Sequence, residues 1–421
     1  MTRIGIIWTI IGIALISMPP VPARAEDGPT TIEVIDPPAS DGAMAPALCT
    51  VGDAVVLTWL EPSGTDDDRT YRLRFAKMTD NAWSEPVTIA EHSEFFANWA
   101  DVPWLVEAGD GALIATWPQK SGEYTYAYDV MVGRSDDGGD TWRVLGPAND
   151  DSTPTEHGFV SLVREGSGVR AFWLDGRAMA AGDADADADA GHGHGGQGGM
   201  ALRTALIGRS ISASEVLDLR VCECCSTAAV STPAGPIIVY RDRSAEEVRD
   251  ISIVRRVDGA WTRPRTVHAD DWLIAACPVN GPALDARGNT VVLAWYTGAV
   301  AGGAIRLAFS DDGGATFASP VVIDDSWPVG RVDVHLTASG SAIVSWLDSD
   351  GDHGAVMLRR VHPDGRTGTP LRAATANVGR ATGFPRIKVT GSRVLLVWTD
   401  QQRTTKLRAV SIPISAIAAP E

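Results

Sequence analysis

Four cysteines in two short segments are the residues best equipped for chemistry. Cys222-x-Cys224-Cys225 places three thiols within four positions, and Cys277 follows in the segment AACPVNGP. Three chemistries are open to such a set. Cys277 can form a disulfide with one member of the triplet and so pin two loops together. The thiolates, with His157 as a further ligand, can hold a soft metal, copper(I) or zinc(II); their spacing is too tight for a zinc-ribbon pair. A vicinal Cys224–Cys225 disulfide can carry thiol redox chemistry. The remaining cysteine, Cys49, falls in an apolar strand pattern and reads as a buried thiol that packs like a small apolar side chain. Five cysteines cannot all pair within one chain, so at least one is free, bound or shared.

A second group is built on arginine. Arg177, Arg241, Arg243, Arg331 and Arg380 occur in loop segments with Glu156, Asp333, Asn98, Trp99 and Asn280. Guanidinium groups facing a cleft bind carboxylates bidentately, so this set reads as a surface for a small anionic or sugar ligand. The alternative is an Arg–Asp network that satisfies the loop backbones.

The elements that must position these groups come from a repeat. An aliphatic run ending in an aromatic residue recurs at Trp59, Trp117, Trp173, Tyr240, Trp295, Trp346 and Trp398, at intervals of 51 to 67 residues. Around each aromatic strand lie three further short strand signals, separated by turns rich in Gly, Asp and Asn, with no convincing helix between them. Self-similarity at this period, with four antiparallel strands per repeat, predicts an all-β fold, a seven-bladed β-propeller with six blades as the alternative. The last repeat is short of one strand, and TTIEVID near the N-terminus (30–36) is expected to supply it and close the ring. In a propeller the blade-to-blade connections gather around the axis on one face. That rule brings the segments 95–101, 154–159, 220–227, 275–282, 328–334 and 379–385 together, and with them four cysteines, His157 and most of the arginine group.

Two turns carry a family motif. Ser135-Asp136-Asp137-Gly138-Gly139-Asp140-Thr141-Trp142 and Ser310-Asp311-Asp312-Gly313-Gly314-Ala315-Thr316-Phe317 both fit S-x-D-x-G-x-T-[WF]. On these turns and the repeat, the chain resembles the sialidase-like Asp-box (BNR) propellers. The resemblance implies a propeller fold, and for activity a glycoside hydrolase with a Tyr nucleophile activated by Glu, an acid/base Asp and three arginines. Here residues 26–58 contain no arginine, where the family carries an Arg-Ile-Pro-like signature. Tyr124, Tyr126 and Tyr128, with Glu123 beside them, lie in a hairpin that could reach the central face.

Composition narrows the partners. Arg3, the apolar run 4–18 and Ala23-Arg24-Ala25 read as a signal peptide over residues 1–25, leaving 26–421 as a single propeller domain outside the cytoplasm, periplasmic or secreted. Loss of Arg3 and Arg24 takes the formal charge from −17 to −19. That repels phosphate backbones and argues against nucleic acid. No later run is long enough to span a membrane, and a monomer is expected. The segment 181–199, AGDADADADAGHGHGGQGG, reads as a low-complexity loop inserted in the third blade, where His192 and His194 could hold a metal loosely.

Overall fold

The computed structural model describes residues 31–65, 68–181, 199–349, 354–401 and 404–420. Residues 1–25, read above as a signal peptide, and nearly all of the 181–199 segment, with His192 and His194, lie outside the described residues.

The aromatic strands form because each alternates or runs apolar and must be covered on both faces. The result is seven antiparallel sheets, six of consecutive strands and one that joins the chain ends. The blades occupy residues 44–92, 104–147, 157–221, 228–268, 283–324, 330–376 and 386–413. Glu33–Val34 pairs with the last strand, Thr405–Pro413, and so closes the seventh blade as the sequence predicts. The six-bladed alternative is therefore corrected to seven. Among the described residues, helix is confined to three short 3-10 turns, and no helix is long and apolar enough to cross a membrane.

Adjacent blades share a core. Trp59, Trp173, Trp295 and Trp346 are essentially fully buried in clusters that draw side chains from two neighbouring sheets. A buried indole N–H needs an acceptor, and the local sequence provides one two residues on. Trp59 donates to Glu61 at 2.9 Å, Trp117 to Gln119 at 3.2 Å and Trp173 to Asp175 at 2.9 Å. Trp295 and Trp346 use Asp270 and Asp324 instead, each at 2.7 Å. This explains why a polar residue follows the aromatic in several repeats.

The two S-x-D-x-G-x-T turns close alike between third and fourth strands. Asp137 accepts from the Thr141 amide at 2.9 Å, and Asp312 from the Thr316 amide at 2.8 Å. Ser135 and Ser310 each accept from the amide four residues on, at 2.9 Å. Those amides belong to Gly139 and Gly314, whose positive φ suits glycine. These turns are remote from the axis and serve the blade.

The innermost strands surround an axial cavity of about 250 Å³. Cys49 lies on one of them, Met44–Val51, and lines this cavity; burial pushes its thiol up to about 12.

Candidate functional site

The predicted convergence of the blade connections is present. One apolar cluster joins Ala100, Phe159, Cys222, Cys224, Cys225 and Phe384, with Trp99, Cys277 and Val279 packed against it. The chain reaches this cluster from four connections, because each innermost strand starts at the same end of the propeller.

Cys224 and Cys277 form a disulfide that ties the connection before the fourth blade to the one before the fifth. Cys222 and Cys225 are free thiols, buried, with their sulfurs 3.2 Å apart. All three triplet sulfurs lie within 4.8 Å of one another. Arg249, fully buried, places Nη1 3.3 Å from the Cys222 sulfur and 3.0 Å from Glu223. Glu223 also pairs with Arg243, and Glu247 with both arginines. Burial alone would raise the Cys222 thiol, but the Cys225 hydrogen bond and the Arg249 charge overcome it and bring it down to about 7. Cys225 moves the other way, raised by burial and by its neighbour.

Two expectations change here. The vicinal Cys224–Cys225 disulfide is replaced by the Cys224–Cys277 bridge, since the triplet turns Cys224 toward the next loop. His157 does not join the sulfur group; it clusters with Asp151 and Asp175 at the start of the third blade. The sequence did not point to Arg249 or Glu223, although Glu223 stands inside the triplet itself.

The arginine group is mostly turned inward. Arg241 is 1% exposed and donates to the carbonyls of Asn280, Arg249 and Tyr296 at 2.6–2.9 Å, with its guanidinium 4.7 Å over the Trp272 ring. Arg331 donates to the Gly379 and Gly383 carbonyls and lies 4.8 Å over Trp99. Burial, with Arg380 nearby, lowers Arg331 to about 10. Trp99 stacks on Phe384. Asn280 accepts from the Arg331 amide at 2.7 Å, and Asn98 accepts from Ala100 at 2.7 Å. Asp333 accepts from the Val334 and Ile387 amides, and burial raises its carboxyl. Arg177 pairs with Asp150, Asp151 and Asp175. The expected ligand surface is thus largely the backbone-satisfying network that was its alternative, because buried loop carbonyls need donors and the guanidinium groups supply them.

Of the three hairpin tyrosines, Tyr128 donates to a carboxylate outside the hairpin, Glu156 at 2.9 Å. Its ring is fully buried and stacks on Phe96. Asp101, also buried, lies beside the Tyr128 hydroxyl: a Cβ on Gly158 would meet both. Burial raises Asp101 to about 7. Burial, reinforced by the Asp101 and Glu223 charges, raises Glu156 to about 8 against the pull of the Tyr128 hydrogen bond. Both groups keep a proton in the folded chain where the unfolded chain has released it. Their stabilising contribution is complete below about pH 4 and is lost as pH rises through about 7 and 8. Relative to the parent, Glu156→Gln should gain stability between about pH 6 and 8, by at most about 1.4 kcal/mol per unit. Urea midpoints measure this; a pH-independent difference would mean Glu156 is already ionised.

No protein-family model and no curated protein sequence matches the chain. Among solved structures it is similar to the polysaccharide lyase Uly1, at 9% identity over 90% of each chain with a TM-score of 0.53. It is also similar to the α-L-arabinofuranosidase Arb93A from Fusarium graminearum, at 13% identity, 92% and 99% coverage and a TM-score of 0.48. Trypanosoma rangeli sialidase aligns at 11% identity over 79% of this chain and 56% of its own, TM-score 0.46. At such identities the likeness is one of fold alone: the chain is a seven-bladed β-propeller.

Proposed function

We propose that this chain is an exported soft-metal protein that binds copper(I) between the Cys222 and Cys225 thiolates on the connection-bearing face of its propeller. The observation that carries this reading is the buried pair of free thiols, 3.2 Å apart, held against Arg249. Thiolate ligands select copper(I) or zinc(II). Zinc takes four ligands in a closed site; with Cys224 and Cys277 joined to each other and His157 in another cluster, the pair offers two. Two thiolates suffice for a two-coordinate copper(I) complex, provided the sulfurs move apart from their 3.2 Å separation as the ion enters. That complex carries one net negative charge, and Arg249 offsets it in a setting where an unpaired buried charge would cost several kcal/mol. Access also favours a small ion, since both thiols are 1% exposed.

A second reading, sialidase-like glycoside hydrolysis, draws on the Tyr128–Glu156 pair with Asp101 beside it. The buried Tyr128 ring and the inward-facing arginines weigh against it.

Copper content and thiol count of anaerobically purified protein test the proposal, beside a Cys222→Ser/Cys225→Ser variant. The expected result is about one copper per chain, absent from the variant. Failure to take up copper(I) while both thiols stay reactive would sink the metal reading. Turnover of an aryl sialoside that survives the double substitution but not Tyr128→Phe would replace it with hydrolysis.

A further inference from the structure

Cys222 and Cys225 are remote in character from a second cluster, made of histidine and carboxylates. His157 opens the innermost strand of the third blade, His157–Glu165, and is in register with Asp175 at the end of the neighbouring strand Gly168–Asp175. Asp151 comes from the connection that precedes the blade. One ligand atom from each of the three lies within 4.8 Å of the others.

The imidazole is fully buried, and its two nitrogens have different surroundings. Nδ1 is 3.2 Å from the Tyr128 carbonyl oxygen, which can only accept, so Nδ1 carries a hydrogen and donates. In the neutral ring that leaves Nε2 with a lone pair. Nε2 has no hydrogen-bond partner, yet it is 3.3 Å from Asp151 Oδ2 and 3.9 Å from Asp175 Oδ1. A lone pair facing two carboxylates is repulsive unless a positive species lies between them. Donors around one zinc-sized cation sit about 3.4 Å apart in a tetrahedral site, given metal–ligand bonds of about 2.0–2.2 Å. The observed separations are close to that.

The surroundings have the pattern of a metal's outer shell. A ligating histidine ordinarily donates its other N–H to a carbonyl or carboxylate, and here Nδ1 has the Tyr128 carbonyl, with Asp129 Oδ1 at 3.6 Å. Asp175 is oriented by the Trp173 indole at 2.9 Å and by Arg177 at 2.7 and 2.8 Å. Charge points the same way. Asp129, Asp151 and Asp175 lie around the ring, and Arg177 pairs with the last two and with Asp150.

We propose that Asp151, His157 and Asp175 form a binding site for a divalent transition-metal cation, independent of the cysteine pair. One nitrogen and two carboxylate oxygens suit a borderline or hard ion such as zinc(II) or manganese(II), and not copper(I).

Zinc alone is the probe, titrated calorimetrically into chelator-treated Cys222→Ser/Cys225→Ser protein so that the thiol pair cannot contribute. The expected result is one saturable zinc per chain, weakened at least 10-fold by Asp151→Asn and by His157→Gln. Zinc should also raise the thermal midpoint of the Cys222→Ser/Cys225→Ser protein but not of the same protein carrying Asp151→Asn, which keeps the volume of the side chain and guards against a failure of His157→Gln to fold. Arg177→Gln should bind zinc at least as tightly, because a competing cation has been removed. Absence of zinc binding at millimolar concentration would overturn the proposal. Binding undiminished in Asp151→Asn would equally overturn it. Neither outcome bears on copper at the thiols.

Discussion

Replacing Arg241 with methionine is expected to destabilise the chain by about 3–5 kcal/mol. The side chain is 1% exposed and donates to three backbone carbonyls, from Asn280, Arg249 and Tyr296. Methionine fills similar space on the Trp272 face but returns none of the hydrogen bonds. Three acceptors near the axis would lose a charged donor, at about 1–3 kcal/mol for each group left unsatisfied. Urea unfolding followed by tryptophan fluorescence reads the change directly. A loss below about 1 kcal/mol would mean that water replaces the guanidinium, and that Arg241 is available to a ligand after all.

Removing the Cys224–Cys277 bridge is the second large effect. The disulfide closes a loop with a sequence separation of 53 residues. Constraining such a loop in the unfolded chain is worth about 4 kcal/mol in the chain-entropy treatment. The Cys224→Ser/Cys277→Ser variant should lose roughly that amount, with the unfolding midpoint falling in step. Denatured, unreduced and metal-free parent protein should titrate three thiols, those of Cys49, Cys222 and Cys225. A single reactive thiol would instead mean that Cys222 and Cys225, at 3.2 Å, have oxidised to a second disulfide, which removes the proposed copper ligands. The two substitutions probe neighbouring loops, since Arg241 and Cys277 both act on the connection before the fifth blade. Their effects should therefore be less than additive.

The blades were legible in the sequence for a simple reason. Each repeat must bury one aromatic strand between two neighbours, and that need recurs at Trp59, Trp173, Trp295 and Trp346 whatever else the repeat contains. The missing strand of the last repeat had to come from elsewhere to leave no edge unpaired, and Glu33–Val34 does so. The gathering of Cys222, Cys224, Cys225 and Cys277 on one face followed from the same topology, because connections of one kind share one end of a propeller.

What pairs with what within that face was not legible. Cys277 bonds Cys224 rather than its neighbours, and Tyr128 meets Glu156 rather than Glu123 of its own hairpin. Such choices turn on a few ångströms between loops that spacing along the chain does not constrain. The arginines show the same limit: a guanidinium in a loop can face a ligand or its own backbone, and Arg241 and Arg331 took the backbone. His157 is the clearest case. By its segment it belongs with the cysteines, but its pairing opposite Asp175 points it into a carboxylate cluster. The sequence by itself therefore determined the propeller and the face on which reactive groups meet, since both follow from burial and strand periodicity. Only the tertiary structure decided which sulfurs stay free and which side chains share a cluster, because those depend on side-chain direction and distance.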